Sequence, residues 1–219
     1  MSEYHKNALN KVKRGAKRAV YDVEKINEIL DAGFIGYVSY TYEGQTMCLP
    51  MAYGRDDNKI YLHGSLKNRM FEHILRSDNL SMTVMHLDAL VLARSGLHHS
   101  VNYRSAVVFG KTKRIDDLLL KEKALKCVVD HMILGRWEEL RPINEKELKA
   151  TLVIELEIIT ASAKIRDVGV SDEKADEQLP IWAGLVPLQQ IAKYPISDDL
   201  LPKDVPIPSH VLDYYESNK

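Results

Sequence analysis

The fold is decided by residues 45–77, QTMCLPMAYGRDDNKIYLHGSLKNRMFEHILRS. Strand-favouring residues lie on both sides of the turn sequence at 54–58, which predicts an antiparallel hairpin. Ser65 then precedes a change of period and is the predicted cap of a helix. The apolar residues of that helix recur every four positions, at Leu66, Met70 and Ile74. The stretch therefore predicts strand, turn, strand and helix.

The corner between the second strand and the helix is a candidate phosphate site. A helix N-terminus offers free backbone N–H groups and the positive end of a dipole, and Lys67 and Arg69 stand beside it. The alternative is an ordinary capped helix whose basic residues are only solvated. The corner has neither G-x-x-x-x-G-K-[ST] nor G-x-G-x-x-G, so a phosphate here would belong to another architecture.

The strand over residues 46–53 carries a proline. Pro50 has no N–H to give to a sheet, which predicts an edge strand or a bulge. The other predicted strands cover residues 34–42, 80–87, 89–97, 101–115, 152–158 and 161–168. In 152–158 apolar and polar residues alternate, which is typical of a half-buried antiparallel strand. Six to eight short strands with few helices predict a mainly β, antiparallel barrel of the α+β class.

Helices are predicted after two aspartates and in two charged segments. Asp22 is the predicted cap of a helix that ends near Gly33, and Asp116-Asp117 cap a longer helix that stops at Gly135. Residues 136–150 predict short helical pieces on either side of a proline, and residues 171–178 an acidic surface loop.

Composition points to one domain. The chain has 219 residues, 45% hydrophobic and 28% charged, with a net charge of −1, which gives no general attraction to nucleic acid or membrane. We expect a single domain over 1–219, with a basic, solvated lead-in at 1–21 and a proline-rich strap at 194–219 that is extended from Tyr194 to Pro208. Two cysteines without C-x-x-C spacing and a start without a secretory signal predict a cytoplasmic protein.

Two further features have alternative interpretations. His98-His99 suggests a metal site, but adjacent residues on a strand point to opposite faces, and no metal-binding motif accompanies them, so we predict no metal. Trp182, within P-x-W-x-G-x-x-P, fits a core anchor or a rigid aromatic wall for a planar ligand.

Four motifs in order carry a family resemblance. LPMAY, IYLHGSLKNRMFEHI, NYRSAVVFGKTKRI and LPIWAGLVPL resemble the pyridoxamine 5'-phosphate oxidase-like flavin-binding split-barrel proteins, in the branch that includes nitroimidazole-resistance-type flavoproteins. The resemblance implies a six-stranded antiparallel split barrel with peripheral helices, and a homodimer with FMN in the groove between protomers. It implies cofactor contacts from Met47, Leu49, Pro50, His63, Gly64, Lys67, Asn68, Arg69, Ser105 and Trp182, the tryptophan coming from the second subunit.

The resemblance also has departures. Vitamin B6 oxidases carry an Arg and a Lys on the strand that is here residues 47–52, and an Arg-rich C-terminus, whereas this chain ends IPSHVLDYYESNK. We therefore expect an FMN-dependent oxidoreductase of another small molecule. His63 and Tyr103 are the candidate proton donors. The alternative is a non-catalytic flavin- or haem-binding sensor or store, with His98-His99 as the place to look for a haem ligand.

Overall fold

The computed structural model describes residues 2–77, 79–202 and 204–219. Its helices are α1 (Val23–Asp31), α2 (Arg69–Ser77), α3 (Leu118–Met132), α4 (Glu145–Ala150) and α5 (Ser209–Asn218). Its strands are β1 (Ala19–Val20), β2 (Ile35–Tyr42), β3 (Gln45–Ala52), β4 (Gly54–Asp56), β5 (Lys59–Ser65), β6 (Asn79–Leu92), β7 (Ser100–Ile115), β8 (Thr151–Arg166) and β9 (Gly184–Pro187). Single 3-10 turns occur at Ala16–Arg18, Gly96–His98 and Trp137–Glu139.

These nine strands form one antiparallel sheet. Its order is β3-β2-β6-β7-β8-β5-β4, with β1 added to β8 and β9 added to β6. The six long strands (β2, β3 and β5 to β8) confirm the predicted antiparallel fold of the α+β class, and β1, β4 and β9 are short additions. The first and last strands in this order are β3 and β4. They do not pair with each other in the described residues, so the sheet is not closed.

The proline-containing strand lies at an edge, as predicted. β3 pairs with β2 alone, and Pro50 stands opposite Tyr37. No described strand pairs with the free edge of β3, so the missing N–H of Pro50 interrupts no hydrogen-bond ladder along that edge.

The main core lies on the inner face of the sheet. Helix α1 contributes Ile26, Ile29 and Leu30, and α2 contributes Met70, Phe71 and Ile74. They pack against alternate residues of the strands, among them Val38, Leu62, Met82, Val108, Ile154 and Leu156. Since these side chains are removed from water, α2 is fixed in place beneath the strand-to-helix corner.

A second core covers part of the opposite face. Helices α3 and α4 pack on β5 and β8 through Tyr61, Ile115, Ala124, Leu125, Val128, Leu148 and Val153. Glu155 is also buried there, and its carboxylate pairs with Lys59 at 3.3 Å and Lys113 at 2.9 Å. The prediction that 152–158 is half-buried is therefore wrong, because α3, which is remote in sequence, and α4, which directly precedes β8, cover its second face.

Two pairs of predicted strands are single long strands. β6 runs through residue 88, where the register with β7 shifts between Leu87 and Ala89. The strands predicted at 80–87 and 89–97 leave a break at Asp88, but this position marks a β-bulge, which continues the strand with one unpaired residue. Likewise 152–158 and 161–168 are parts of β8 rather than neighbours, and β8 lies between β7 and β5.

The predicted aspartate caps are confirmed. Asp22 accepts a hydrogen bond from the N–H of Lys25, and Asp117 accepts one from Leu120, each at 2.9 Å. Helix α3 ends at Met132, three residues before the predicted stop. The charged segment after it holds a 3-10 turn and α4, on either side of the predicted break.

The lead-in differs from the predicted solvated segment, and the strap has no helix or strand in the described part of residues 194–208. Asn10 is buried, and its amide donates to Thr160 Oγ1 at 2.7 Å and to the carbonyl of Ala161 at 3.1 Å. The lead-in is thus anchored to β8. The strap contains a helix, α5, after its prolines. In the acidic loop the side chain of Asp172 is only 2% exposed and pairs with Arg94 at 2.7 Å. No helix in the described residues is long and apolar enough to span a membrane.

Candidate functional site

The corner at the end of β5 is a tight turn before α2. Ser65 Oγ accepts from the N–H of Lys67 at 3.2 Å, and the Ser65 carbonyl accepts from Asn68 at 3.0 Å. Asn68 Oδ1 in turn accepts from the N–H of Phe71 at 3.4 Å. Asn68 therefore occupies the capping position predicted for Ser65, and α2 begins at Arg69. The correction arises because Ser65 uses its hydroxyl in the turn.

A glycine allows the helix to approach the strand closely. A Cβ at Gly64 would lie 3.1 Å from Phe71 Cε2 and 3.2 Å from Asn68 Nδ2. Both neighbours belong to the start of α2, so a larger residue would push the helix away from the strand. Gly64 therefore fixes the narrow geometry of the corner.

Arg69 lies over an aromatic ring of β2. Its guanidinium carbon is 4.2 Å from the centre of the Tyr42 ring, a cation–π distance. The neighbouring hydroxyls of Tyr40 and Tyr42 raise the pKa of Arg69. Met47 of β3 stands opposite Tyr40 in the β2–β3 ladder. The contact of Arg69 with the tyrosines of β2 therefore places the corner close to β3. Lys67 and Arg69 remain exposed and can bind an anion.

His63 has a nitrogen without a partner. Its side chain is half-buried on β5, and Nδ1 is buried with no hydrogen-bond partner among the described residues. Burial lowers the pKa of the imidazole, which favours the neutral ring. A buried polar atom without a partner is costly, so this position fits a polar group supplied by a ligand.

The predicted contacts on β3 and β7 divide between the two faces of the sheet. Met47 and Leu49 lie on the inner face, because they stand opposite buried residues of β2. Pro50 lies on the outer face, in a row across four strands. The members of that row are Pro50, Tyr37, Thr83 and Val107. Tyr103 and Ser105 occupy the same outer face of β7, and Ser105 Oγ donates to the carbonyl of Lys164 at 3.3 Å.

The outer face is apolar and exposed. Tyr37, Met85 and Leu87 expose 46%, 53% and 40% of their surface, unusually large fractions for residues in the middle of a sheet. Trp182 is 67% exposed and lies near β9, which extends β6. A Cβ at Gly184 would lie 2.9 Å from the Trp182 ring, so the ring packs closely against the backbone at Gly184.

His98 and His99 are held by their own loop. His98 Nδ1 is 2.8 Å from Ser95 Oγ, and its Nε2 is 3.7 Å from Glu173. His99 Nδ1 is 2.9 Å from the carbonyl of Ser95. Within the ranges that the structure describes, no group of three or more His, Cys, Asp and Glu side chains could hold a metal ion.

Two grooves lie outside the predicted site. The larger, of about 1040 Å³, contains His131 and many charged side chains. Several of these charges are paired across it, including Arg55 with Asp31 and Lys113 with Glu155. The smaller, of about 600 Å³, lies between α2, the lead-in and the strands, and its lining includes Tyr40, His73 and Phe109.

Tyr42 was not predicted from the sequence as a residue of the corner, and His73, which packs against it, was not singled out either. Tyr42 carries the ring beneath Arg69, and its ring centre is 5.0 Å from that of His73. Helical spacing held a signal, because Arg69, His73 and Ser77 follow one another at four-residue intervals on α2. Nothing local to Tyr42 indicated that α2 packs beside it.

The family model described as pyridoxamine 5'-phosphate oxidase matches residues 22–165. The chain belongs to this family. A search of curated proteins found no match. Among solved structures, the flavocytochrome Anf3 from Azotobacter vinelandii is 35% identical, with a TM-score of 0.90, over 95% of this chain and 97% of that chain.

Two further members of this fold group are informative. The FAD- and haem-binding protein from Mycobacterium smegmatis is 29% identical, with a TM-score of 0.85, over 90% of this chain and 97% of that chain. A candidate 5-nitroimidazole antibiotic resistance protein from Bacteroides thetaiotaomicron is 22% identical, with a TM-score of 0.59, over 67% of this chain and 86% of that chain. The second likeness concerns the fold alone. The split-barrel family inferred from the sequence motifs is thus confirmed for this chain.

Proposed function

We propose that this protein is a flavin-dependent redox protein that also binds haem and acts as a homodimer. The observation that carries the proposal is the 35% identity to a flavocytochrome over almost the whole of both chains. The flavin supplies redox chemistry when bound, and the protein supplies position and electrostatics. A location in the cytoplasm remains part of the proposal.

The flavin site is proposed at the strand-to-helix corner. Lys67 and Arg69 are exposed cations beside the first turn of α2, where a phosphate would gain charge-assisted hydrogen bonds. The unpartnered Nδ1 of His63 and the narrow approach at Gly64 fit a flat, polar ligand. We propose FMN, which has a single phosphate. FAD, the flavin of the mycobacterial protein, would need room for a second phosphate and an adenosine.

Haem binding is proposed because of the segments outside the common barrel. The family model ends at residue 165, and the nitroimidazole-resistance relative covers 67% of the chain. The flavocytochrome and the FAD- and haem-binding protein cover 95% and 90%. The flavocytochrome and the FAD- and haem-binding protein therefore match more of the lead-in or of the C-terminal region than the nitroimidazole-resistance relative does. This correlation supports a second prosthetic group.

Dimer formation would cover the apolar outer face. Tyr37, Met85 and Leu87 form an exposed patch of the kind that is buried at homodimer interfaces. The outer-face positions of Pro50 and Ser105 would then lie at the contact, as the family pattern implies. Trp182, which is largely exposed, is proposed to close the flavin site of the partner subunit.

The reaction is proposed to be the oxidation or reduction of a small molecule other than pyridoxamine phosphate. Strand β3 has no Arg or Lys, and the C-terminal helix is not Arg-rich, so the cations expected for that substrate's phosphate are missing from these positions. His63 and Tyr103 remain the proposed proton donors. The second candidate is a non-catalytic sensor or store, which the lowered pKa of His63 favours, because a ring that burial keeps neutral is a poor proton donor.

The absorbance spectrum of the purified protein tests the proposal. We expect flavin bands and a Soret band together, and chromatography of the released flavin should identify FMN. The reduced protein, mixed anaerobically with candidate acceptors, should be reoxidised faster than free flavin. A protein without flavin would refute the main proposal, whereas bound flavin that no acceptor reoxidises faster than free flavin would favour the sensor or store.

A further inference from the structure

The smaller groove has the composition of a site for a flat, largely apolar anion. We call it the His73 groove, and its volume of about 600 Å³ is within the usual range for cofactor sites. Its apolar wall is formed by Leu9, Leu80, Phe109 and Ile159. Lys111 is the one lysine or arginine among the described lining residues, and no Asp or Glu is among them. The larger groove, by contrast, is lined by many charges of both signs.

We infer that His73 is an axial ligand of a haem bound in this groove. The inference rests on the proposed function, because it assumes that the chain binds haem, and it adds the place and the ligand. Histidine is a common axial ligand of haem iron, and it binds through a neutral ring nitrogen.

His73 is presented by a rigid element. It lies on α2, whose opposite face is anchored in the core by Met70, Phe71 and Ile74. The rings of Tyr42 and Tyr40 flank the imidazole, with centres 5.0 Å and 6.4 Å away. Within the described chain the His73 ring has no hydrogen-bond partner. A ligand on a helix with its ring orientation restricted by neighbours is pre-organised for a metal.

Three other histidines, His98, His99 and His131, fit this role less well. His98 Nδ1 is 2.8 Å from Ser95 Oγ, and neither His98 nor His99 lines either of the two grooves. His131 lines the larger groove, but its Nε2 lies 2.9 Å from the carbonyl of Gly33, and the surroundings are strongly charged. A haem there would place its apolar ring against paired charges, which is unfavourable.

Lys111 places a positive charge in the groove, where it can pair with the haem carboxylates. It lies on β7 opposite Asn79 of β6, and both line the groove. The carboxylates of a haem whose iron is held by His73 would gain a charge-assisted bond from this exposed lysine. Tyr42 would then separate the two cofactor sites, because its ring contacts both Arg69 and His73.

Reconstitution with haemin tests the assignment. Wild type and His73→Ala are purified, loaded with haemin and compared by Soret absorbance and electron paramagnetic resonance, with released flavin measured separately. We expect haem affinity to fall roughly 10- to 100-fold or more in His73→Ala, the range seen when a metal's ligand surroundings are disturbed. The flavin content should stay at the wild-type level. His98→Ala, His99→Ala and His131→Gln serve as matched controls and should keep the wild-type spectrum.

Two more variants separate ligation from folding. His73→Gly should regain a Soret spectrum typical of histidine-ligated haem when imidazole is added, because free imidazole can replace the missing ring. A merely structural role of His73 would not give this recovery. Lys111→Ala should weaken haem binding without changing the spectrum.

The outcomes separate the two proposals. A wild type that takes up no haem refutes haem binding itself and this inference with it. A haem-binding wild type whose spectrum survives in His73→Ala refutes the ligand assignment alone. Loss of flavin but not haem in His73→Ala would mean that the groove holds the flavin, which also overturns the assignment.

Discussion

The Arg69 side chain can interact at the corner both with an aromatic ring and with an anion. Its guanidinium lies over the Tyr42 ring and remains exposed, and Arg69 is the first residue of α2, where an anion is favoured. The stacked arrangement restricts the side chain before any ligand arrives. A phosphate that meets a pre-organised guanidinium binds more tightly, because less side-chain entropy is lost on binding.

We therefore expect Arg69→Ala to weaken flavin binding about tenfold or more, through loss of a charge-assisted hydrogen bond. The measurement is a fluorescence titration of the apoprotein with FMN. Arg76→Ala is the matched control, since Arg76 is an exposed arginine at the other end of the same helix and pairs only with Glu72 in the described chain. Equal affinities of Arg69→Ala and wild type would remove the phosphate assignment.

His63 predicts a pH dependence of stability. Burial lowers the pKa of its imidazole below the ordinary value of 6.5, so the unfolded chain binds a proton that the folded chain resists. The free energy of unfolding should therefore fall as the pH drops through 6.5 and level off below the folded-state pKa. His63→Gln should lose this part of the pH dependence in the apoprotein.

Urea midpoints measured at about pH 7.5 and about pH 5 give the comparison. His5→Gln replaces an exposed histidine and should leave the pH dependence as in wild type. If His63→Gln and wild type lose the same stability between the two pH values, burial of His63 is not the cause.

At the scale of whole elements, the sequence predicted the structure correctly where the cause was local. The caps at Asp22 and Asp117 depend on side chains within three residues of the helix start, and both were predictable. Pro50 marked an edge for the same reason, since its missing N–H acts at its own position. These features needed no knowledge of the tertiary structure.

Features with a remote cause were not predictable. Helix α3, which is remote from β8 in sequence, covers part of its second face, and the ring beneath Arg69 comes from β2. The break between the strands predicted at 80–87 and 89–97 is a β-bulge, because pairing with β7 carries the strand through Asp88. Lys67 and Arg69 were predicted from the start of the helix and the other contacts from the family's pattern, but their neighbours depend on how α2 packs.

The cap of α3 gives a prediction for stability. Asp117→Ala should lower the free energy of unfolding by about 1 kcal/mol, because the N–H of Leu120 loses its acceptor. That change corresponds to a melting temperature lower by about 2–4 °C for a chain of this length. Differential scanning calorimetry measures it.

Two variants control for charge and position. Asp117→Asn keeps a capping oxygen and should be close to wild type. Asp116→Ala removes the neighbouring aspartate, whose exposed pair with Arg114 contributes little. If Asp116→Ala destabilised the protein as much as Asp117→Ala, general electrostatics at the helix start would explain the effect instead of the cap.

For the whole molecule, the distribution of exposed apolar surface decides how a flavin can be enclosed. The inner face is filled by α1 and α2, and α3 and α4 cover the outer face over β4, β5, β8 and the end of β7 at Ile115. The outer face around Met85 and Leu87 stays open, as does one side of Trp182. Since a two-fold contact presents the same surfaces twice, each protomer would both receive a wall and supply one.

This arrangement predicts complementation between damaged chains. If Arg69 and Trp182 of one flavin site come from different protomers, Arg69→Ala and Trp182→Ala homodimers each lack one contact in both sites. Mixing and refolding them should give heterodimers with one intact site and one doubly damaged site. A titration with FMN should then show recovery of tight sites, up to one per heterodimer.

The reciprocal mixture makes the test decisive. A chain carrying both Arg69→Ala and Trp182→Ala, mixed with wild type, forms heterodimers in which each site has one lesion, so no tight site should remain in them. If both residues belonged to one chain's own site, the results would be reversed: the doubly substituted mixture would keep one tight site per heterodimer, and the singly substituted mixture would recover none. Trp137→Ala in place of Trp182→Ala controls for tryptophan loss, because Trp137 packs on α3 through the second core and its homodimer should bind FMN like wild type. A monomer with full FMN affinity would exclude a shared site altogether.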